Sequence, residues 1–369
     1  MNETPTTLFG LNEPAIAAAL AQADPSLPRF RSRQIYNALY AKGIRSFAEM
    51  SNLPAALRAS LDARFPIVHP KIVKESRSAD GTIKYLFELS DGRQVESVLI
   101  PSEMRDARGE ARRKTLCLST QVGCPLDCKF CATASLKLKR NLTVGEIVGQ
   151  YIAVEHASGE KITNVVYMGM GEPMLNYENV VASLRILTDP ELEIIGAKRI
   201  TVSTSGFPDE IRRFAKEGLG VKLALSLHAT TDALRVQLMP IDKKYPLDTV
   251  IAAMEDYYRE THIPVTYEYI LFDKLNDTPA DAKRLAKIAR RAPSKVNVIP
   301  FHPIDFTQPS GLGATLHPSS EAHFNEFIRQ LKEHGAHVMV RSSAGVDIEA
   351  ACGQLALSNE PHLHDIAVE

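Results

Sequence analysis

Three cysteines, Cys124, Cys128 and Cys131, lie within eight residues at Cys-x3-Cys-x2-Cys spacing. The chain has five cysteines in all, and an odd, clustered set favours a metal site in a reducing compartment over a disulfide framework. A structural zinc requires four protein ligands, and no fourth cysteine or histidine lies close to these three in the sequence. The nearest are Cys117, on a predicted strand, and His156, well along a predicted helix. A 4Fe-4S cluster bound by three cysteines would leave one iron open to a small ligand. The spacing therefore favours an iron-sulfur cluster, with zinc or redox-active thiols as the alternatives.

The composition is that of a globular protein. Of 369 residues, 44% are hydrophobic and 24% are charged, which excludes disordered, collagen-like and coiled-coil proteins. The N-terminus, MNETPTTLFG, lacks the basic region and apolar core of a targeting signal, and no apolar run approaches the ~20 residues that cross a bilayer. We therefore expect a cytoplasmic protein that does not associate with membranes.

Basic residues are concentrated around the cysteines. The whole chain carries a net charge of −1, yet the segment from Arg105 to Arg140 has nine basic residues and three acidic ones. Positive charge in this position would suit the phosphates of a nucleic acid. An ordinary solvated basic loop is the alternative interpretation.

Four segments can be distinguished along the chain. Residues 1–70 contain short helical patterns, and we expect a small N-terminal helical accessory domain there. Residues 71–110 alternate apolar and polar positions around two Asp-Gly turn signals, which predicts a β-meander followed by a basic linker. Residues 111–345 alternate strand and helix patterns and form the core. Residues 346–369 form a C-terminal segment.

The core segment predicts seven strands with six helices between them. Such alternation requires a mostly parallel sheet with crossover helices, either doubly wound or in a complete or partial barrel. Seven strands cannot quite close an eight-stranded barrel. The predicted strands cover residues 115–119, 164–168, 199–204, 221–227, 265–272, 295–299 and 337–341. The predicted helices cover residues 144–156, 177–187, 209–216, 247–260, 280–291 and 321–334.

Six motifs resemble those of the RlmN family of radical S-adenosylmethionine (SAM) enzymes, in the same order over nearly the whole chain. They are STQVGCPLDCKFCATA, MGMGEPMLNY, TVSTSG, LALSLHAT, VNVIPFHP and AACGQL. Near the N-terminus, FRSRQIYNALYAKG is similar to the accessory helical domain of that family. The resemblance implies a partial (β/α)6 TIM-like radical SAM barrel with a small N-terminal helical domain and a β-meander extension. It also implies a 4Fe-4S cluster, held by Cys124, Cys128 and Cys131, and SAM as the second cofactor.

The same resemblance implies SAM contacts near the ends of the core strands. A Gly-Glu-Pro motif that binds SAM in the family is present just past the second core strand. At one position the chain departs from the family pattern, because it has His302 where many members have Asn. An imidazole can still donate or accept a hydrogen bond there. The implied SAM-binding residues are Gly171, Glu172, Ser203, Ser226, Leu227, His228 and His302.

Three catalytic residues are implied as well: Cys352, Cys117 and Glu96. Carbon 2 of adenine is electrophilic, so the electrophilic methyl group of SAM cannot be transferred to it directly. Family members first methylate a cysteine, which matches Cys352, and a 5′-deoxyadenosyl radical then removes a hydrogen so that the methylthio carbon adds to the ring. Cys117 would release the product by forming a transient disulfide, and Glu96 would take the ring proton.

The resemblance therefore implies an enzyme that methylates carbon 2 of adenosine in 23S rRNA and in tRNAs. Its partners would be these RNAs and an electron donor, and we expect a monomer. Relatives that methylate carbon 8 share most of the motifs, so carbon-8 methylation is the closest alternative. A non-catalytic, zinc-stabilised RNA-binding protein is the alternative from another class.

Overall fold

A computed structural model describes residues 7–104, 109, 111–341 and 343–357. Arg105 and Arg108 of the basic segment, and residues 358–369 of the C-terminal segment, lie outside the described residues. Within the described residues, no helix has both the length and the apolar character needed to cross a membrane.

Three short helices form the N-terminal part of the structure. They are α1 (Glu13–Ala23), α2 (Phe30–Tyr40) and α3 (Ala55–Arg64). Asn12 caps the first helix, because its Oδ1 accepts a hydrogen bond from Ala15 N–H at 3.0 Å. Tyr36 connects the second helix to the core, where its hydroxyl donates to Asp189 Oδ2 at 2.9 Å. The helical prediction for this part of the chain is confirmed.

The next three strands form an antiparallel meander. They are β1 (Lys71–Arg77), β2 (Ile83–Glu88) and β3 (Gln94–Pro101). Both turns contain a glycine with positive φ, Gly81 at 87° and Gly92 at 77°, a conformation that disfavours other residues. Leu86 lies opposite Glu96 in the register of the second and third strands. The meander prediction is confirmed.

The core begins with β4 (Lys114–Cys117), which pairs antiparallel with β3. The meander and the core therefore belong to one sheet. A small antiparallel hairpin follows, made of β5 (Gln121–Val122) and β6 (Arg140–Asn141). The three clustered cysteines lie in the long loop of this hairpin. The sequence patterns did not predict this hairpin, because a two-residue strand is too short to show an alternation of apolar and polar residues.

Six further strands continue the sheet from β4, and these seven core strands pair parallel with one another. Each pairs with the next strand along the chain, as a partial barrel requires, so the predicted fold class and its seven strands are confirmed. The six strands are β7 (Asn164–Tyr167), β8 (Ile200–Thr204), β9 (Lys222–Ser226), β10 (Val265–Leu271), β11 (Ser294–Pro300) and β12 (Val338–Val340).

Helices connect the core strands, and the six predicted crossover helices are confirmed. The first begins with a capping box, in which Thr143 Oγ1 accepts from Glu146 N–H at 3.2 Å. A seventh helix, α7, was not predicted, because seven residues are too few to establish a helical period. The helices are α4 (Val144–Ser158), α5 (Tyr177–Leu187), α6 (Pro208–Ala215), α7 (Asp232–Leu238), α8 (Leu247–Thr261), α9 (Pro279–Ala289) and α10 (Glu321–Glu333).

The carboxyl ends of the parallel strands meet at one edge of the barrel. Loops that follow parallel strands usually carry the ligand site of such folds. The cysteine hairpin follows β4 at this edge, and the Gly-Glu-Pro motif follows β7 there.

Candidate active site

One cavity at this edge is lined by all three clustered cysteines, and it encloses about 800 Å³ including its mouth. In the part of the chain that the structure describes, the sulfurs of Cys124, Cys128 and Cys131 do not form a group whose ligand atoms all lie within 4.8 Å of one another. Sulfur ligands of one tetrahedral zinc lie roughly 3.8 Å apart, given a Zn–S distance of about 2.3 Å. The three thiols, as placed, therefore do not match the ligand spacing of a single zinc ion.

The protein environment by itself keeps these thiols protonated. Burial, and to a smaller extent the neighbouring thiols, raise the pKa of all three, that of Cys124 to about 12. Thiols become thiolates in such surroundings when a bound metal supplies the compensating positive charge. The donor set therefore fits an iron-sulfur cluster, which supplies that charge.

The turn after β7 holds Gly171 and Glu172 against the cysteine hairpin, and both residues line the cavity. Gly171 has a φ of 100°, and a Cβ there would lie 2.5 Å from the Cβ of Gln121, so only glycine fits. Glu172 N–H donates to Gln121 Oε1 at 2.8 Å, and Glu172 Oε2 accepts from Ser205 N–H at 2.8 Å. The turn thus presents an oriented, buried carboxylate, which favours a cationic group on a ligand.

Two serines and a histidine line the cavity where β8 and β9 end. The hydroxyl oxygens of Ser203 and Ser226 are 3.5 Å apart. His228 Nδ1 accepts from Ile270 N–H at 3.0 Å, so the neutral ring carries its proton on Nε2. Burial lowers the pKa of His228 to about 3, and the ring is neutral at physiological pH. These residues can offer hydroxyl groups and an imidazole N–H to a ligand.

Arg235, on α7, binds three backbone carbonyl groups at the ends of β8 and β9. Its Nη2 donates to the Ser205 carbonyl at 2.6 Å and to the Ser226 carbonyl at 3.1 Å. Its Nε donates to the Leu227 carbonyl at 3.2 Å. The side chain is fully buried and pairs with Asp242. Sequence reasoning missed this residue, because an arginine is normally exposed to solvent.

Two of the residues expected to bind SAM are placed differently from the rest. Leu227 is fully buried and is not among the described residues that line the cavity, and its N–H donates to the Glu268 carbonyl at 3.0 Å. His302 lines a second cavity instead. Their contacts with SAM stay predictions. The other five residues all line the first cavity: Gly171, Glu172, Ser203, Ser226 and His228.

Cys352 lies in a loop that packs directly on the cysteine hairpin. Ala132 N–H donates to the Gly353 carbonyl at 2.7 Å, and Thr133 Oγ1 donates to the Leu355 carbonyl at 2.6 Å. Cys352 lines the first cavity and also the second, which encloses about 1210 Å³ including its mouth. Its side chain therefore lies where the two cavities meet.

Cys117, at the end of β4, shares the electrostatic environment of Cys352. Burial raises the pKa of Cys117 to about 12 and also raises the pKa of Cys352. The guanidinium of Arg341 acts in the opposite direction on both thiols and lowers each pKa. Two cysteines that are far apart in the sequence are thus brought beside one cation.

Glu268, on β10, lines both cavities and was not identified from the sequence. Its Oε1 accepts from Asn297 Nδ2 at 2.9 Å. Its Oε2 is buried and has no hydrogen-bond partner among the described residues, although Arg341 Nη1 lies 3.9 Å away. Burial raises the pKa of this carboxyl. An acidic residue within the apolar strand VTYEYIL was the available signal.

Comparison with known proteins gives two family matches. The radical SAM superfamily matches residues 118–293, and the ribosomal RNA large subunit methyltransferase N-terminal domain matches residues 6–67. A protein of Thermotoga maritima named "Probable dual-specificity RNA methyltransferase RlmN" is 46% identical over 332 residues, which cover 90% of this chain and 92% of the relative. The chain belongs to the RlmN family.

Further similarities agree with membership of the RlmN family. A relative of the same name from Salinibacter ruber is 42% identical over 345 residues, covering 92% of this chain and 91% of the relative. The crystal structure of a radical SAM methyltransferase from Sphaerobacter thermophilus has a TM-score of 0.85 at 42% identity, and the match covers 95% of this chain and 99% of that chain. This RlmN-family chain is therefore a SAM-dependent methyltransferase whose cofactors are a 4Fe-4S cluster and SAM.

Glu96, which the RlmN resemblance implies as the base, is buried in the meander. It is not among the described residues that line either cavity. Its Oε1 lies 3.3 Å from Lys84 Nζ, and its Oε2 accepts from the N–H groups of Ala356 at 3.1 Å and Leu357 at 3.3 Å. Burial raises the pKa of this carboxyl. The role of Glu96 as the base stays a prediction. For Oε2 to act as the base, it must first be released from these two N–H groups.

The basic residues near the cysteine hairpin of this RlmN-family chain divide into two kinds. Arg140 forms ion pairs with Asp91 and Glu146, each at 2.7 Å, so it stabilises the fold. Lys137 and Lys139 are exposed in the same hairpin. The exposed lysines are the residues of this hairpin suited to contact phosphates.

Proposed function

We propose that this enzyme methylates carbon 2 of adenosine in 23S rRNA and in tRNAs, with Cys352 as an intermediate methyl carrier. The observation that carries the proposal is the position of Cys352, which lines both cavities. A methyl carrier must meet its methyl donor and its acceptor ring at different times. A thiol where two cavities meet can reach a ligand in each of them.

Cys124, Cys128 and Cys131 would hold the cluster, and its fourth iron would be open to SAM. When bound, the cluster supplies the electron that cleaves SAM, which is radical chemistry that protein side chains do not provide. The buried carboxylate of Glu172 would attract the ammonium group of SAM. The residues proposed to bind SAM are Gly171, Glu172, Ser203, Ser226, Leu227, His228 and His302.

The remaining steps belong to residues of the chain itself. Cys352 would take the methyl group as a thiolate, which the guanidinium of Arg341 favours. Once the methylthio carbon of Cys352 has been joined to carbon 2 of the ring, Cys117 would attack the sulfur of Cys352. The S–S bond would form as the bond between that sulfur and the transferred carbon breaks, the carbon would leave with the product and take up a proton, and cellular thiols would reduce the disulfide. Glu96 would accept the ring proton, for which a carboxyl with a raised pKa is suited.

The substrate must present its adenine outside a base-paired helix. Carbon 2 lies on the base edge that a helix encloses, so the adenosine would be unstacked or located in a loop. Exposed Lys137 and Lys139 would neutralise phosphates nearby. We also propose that the enzyme acts as a monomer in the cytoplasm and receives its electron from a separate donor.

Product analysis tests the proposal. Anaerobically reconstituted enzyme is incubated with SAM, a reductant and 23S rRNA or tRNA that lacks the modification, and the digested nucleosides are analysed by chromatography and mass spectrometry. We expect 2-methyladenosine with both RNAs, and none with Cys352→Ala. A product that elutes as 8-methyladenosine would assign the carbon-8 reaction instead. A colourless, zinc-containing protein that does not cleave SAM would indicate the RNA-binding alternative.

A further inference from the structure

An ion pair lies inside the meander, between Lys84 on β2 and Glu96 on β3. Lys84 Nζ and Glu96 Oε1 are 3.3 Å apart, and the two side chains are only 7% and 3% exposed. Removing two charges from water is costly unless additional hydrogen bonds satisfy them. For this pair, the additional partners come from the C-terminal segment.

Both members of the pair bind the backbone of that segment. Lys84 Nζ donates to the Glu349 carbonyl at 3.2 Å. Glu96 Oε2 accepts from the N–H groups of Ala356 at 3.1 Å and Leu357 at 3.3 Å. Cys352 lies between these attachment points, three residues after the first and four before the second.

We propose that Lys84 and Glu96 are positioning residues that clamp the two ends of the Cys352 loop. The middle of the loop is bound to the cysteine hairpin through the Gly353 and Leu355 carbonyls. With the ends held by the meander, the Cys352 side chain stays where the two cavities meet. The purpose of the clamp rests on the proposed function, in which Cys352 carries the methyl group.

The clamp connects the two roles considered for Glu96. Its Oε2 binds the Ala356 and Leu357 N–H groups while the clamp is closed. Oε2 of Glu96 becomes free to accept a proton when these N–H groups leave it. Opening the clamp therefore loosens the Cys352 loop and frees Glu96 in the same event.

The test measures how firmly the Cys352 loop is held, in enzyme that contains the cluster and has its Cys352 thiol reduced. We follow hydrogen exchange at the amides of Ala356 and Leu357, and the rate at which iodoacetamide alkylates Cys352. Glu96→Gln removes the charge while keeping the size of the side chain. We expect both amides to exchange roughly ten-fold faster or more, since hydrogen bonds to charged groups are stronger than neutral ones. Alkylation of Cys352 should become faster as well.

A matched control uses another carboxylate of the same meander, Glu75. Glu75 forms an ion pair with Arg77 at 2.9 Å, and both side chains are partly exposed. Glu75→Gln should leave the exchange and alkylation rates at the wild-type values. Equal acceleration in this control would mean that any lost meander charge loosens the loop, and it would overturn the specific clamp.

Variants of Lys84 separate positioning from loss of fold. Lys84→Arg keeps the cation and should retain slow exchange, whereas Lys84→Met should lose it. Either single charge removal takes one member out of a buried ion pair, which can unfold the meander. The double variant Lys84→Met/Glu96→Leu replaces the pair with apolar side chains and should fold, with exchange at Ala356 as fast as in Glu96→Gln.

The clamp and the proposed function can fail independently of each other. If Glu96→Gln loses turnover while Ala356 exchange and Cys352 alkylation stay unchanged, Glu96 acts as a base only and the clamp is wrong. If wild-type enzyme makes no methyladenosine, the proposed function fails, while the exchange rates still decide whether the clamp exists.

Discussion

Arg235 Nη1 donates to Asp242 Oδ1 at 2.6 Å, and neither side chain is exposed to solvent. The same guanidinium binds the carbonyls of Ser205 and Ser226, where β8 and β9 end. Asp242 thus supplies the negative charge that allows a buried arginine to hold the side of the cavity lined by Ser203 and Ser226, where we propose that SAM binds. Stability and cofactor binding should therefore depend on one ion pair.

Replacing Asp242 with Leu should destabilise the protein strongly. The substitution leaves Arg235 buried without its anion, and breaking such a pair costs about 3–5 kcal/mol of the free energy of unfolding. Urea denaturation of the apoprotein, followed by circular dichroism, measures this loss. Arg329→Gln serves as the control, because Arg329 pairs with Glu326 on the surface and should cost nothing measurable. Similar losses in both variants would contradict the prediction.

His228 should make stability depend on pH. Burial lowers the pKa of His228 to about 3, while an unfolded histidine titrates near 6.5. Below pH 6.5 the unfolded chain binds a proton that the folded chain does not, so stability falls as the pH falls towards 3. Between pH 7 and pH 4.5 the loss amounts to about 2–3 kcal/mol.

His228→Asn removes this titration and keeps an acceptor near the position of Nδ1. Asparagine also tolerates the left-handed backbone at this residue, where φ is 52°. Urea denaturation at a series of pH values should give a flatter profile for the variant between pH 7 and pH 4.5. A profile parallel to that of wild type would show that His228 is not the group that titrates.

Features that depend on neighbouring residues in the chain could be predicted from the sequence. The seven core strands and six crossover helices follow from periods of two and 3.6 residues. The cysteine spacing is local, and so are the capping box at Thr143 and the Asp-Gly turns at Gly81 and Gly92. These signals require no knowledge of distant contacts.

The rest of the site depends on contacts between distant segments. Arg235 and Glu268 are charged residues that are normally exposed, and only the assembled barrel shows that they are buried beside the cavities. The sequence pattern also favours a solvated surface for Glu96, whereas its partners Ala356 and Leu357 lie at the other end of the chain. No sequence period or motif reveals which residues from distant parts of the chain are in contact.

Exposed lysines of the cysteine hairpin should contribute to RNA binding. Each phosphate contact adds roughly 0.7–0.9 to the slope of log Kd against log salt concentration. Replacing Lys137 and Lys139 with Gln should weaken binding and reduce this slope by up to roughly 1.4–1.8. Arg140→Gln should leave the slope intact, because Arg140 is already paired with Glu146. An unchanged slope in the lysine variant would identify these residues as ordinary solvated charges.

The three clustered cysteines should account for the colour of the enzyme. Protein reconstituted anaerobically with iron and sulfide should be brown and bind about four irons per chain. Cys131→Ala should lose the colour and the cleavage of SAM, because a cluster ligand is missing. Cys352→Ala should keep both, since that residue is not a ligand. Stoichiometric zinc without iron would refute the cluster assignment.

The Cys117→Ala variant should remain covalently bound to its RNA substrate. The variant retains the methyl acceptor Cys352 but lacks the thiol that releases the product, so a covalent adduct through Cys352 should accumulate. Nuclease digestion followed by mass spectrometry should find a nucleoside-sized addition on the Cys352 peptide. Cys352→Ala should form no adduct, because it cannot accept the methyl group. Normal turnover by Cys117→Ala would rule out the methyl-cysteine route for this chain.

The release step in the wild-type enzyme should also depend on pH and on Arg341. Burial raises the pKa of Cys117 to about 12, so its reactive thiolate is a small fraction that grows about tenfold with each pH unit below that value. Disappearance of the adduct after rapid mixing should therefore become faster between pH 7 and pH 9. Arg341→Gln removes the cation that lowers the pKa of Cys117, so release should be slower at each pH. A release rate that is independent of both pH and Arg341 would mean that Cys117 is not the attacking thiol.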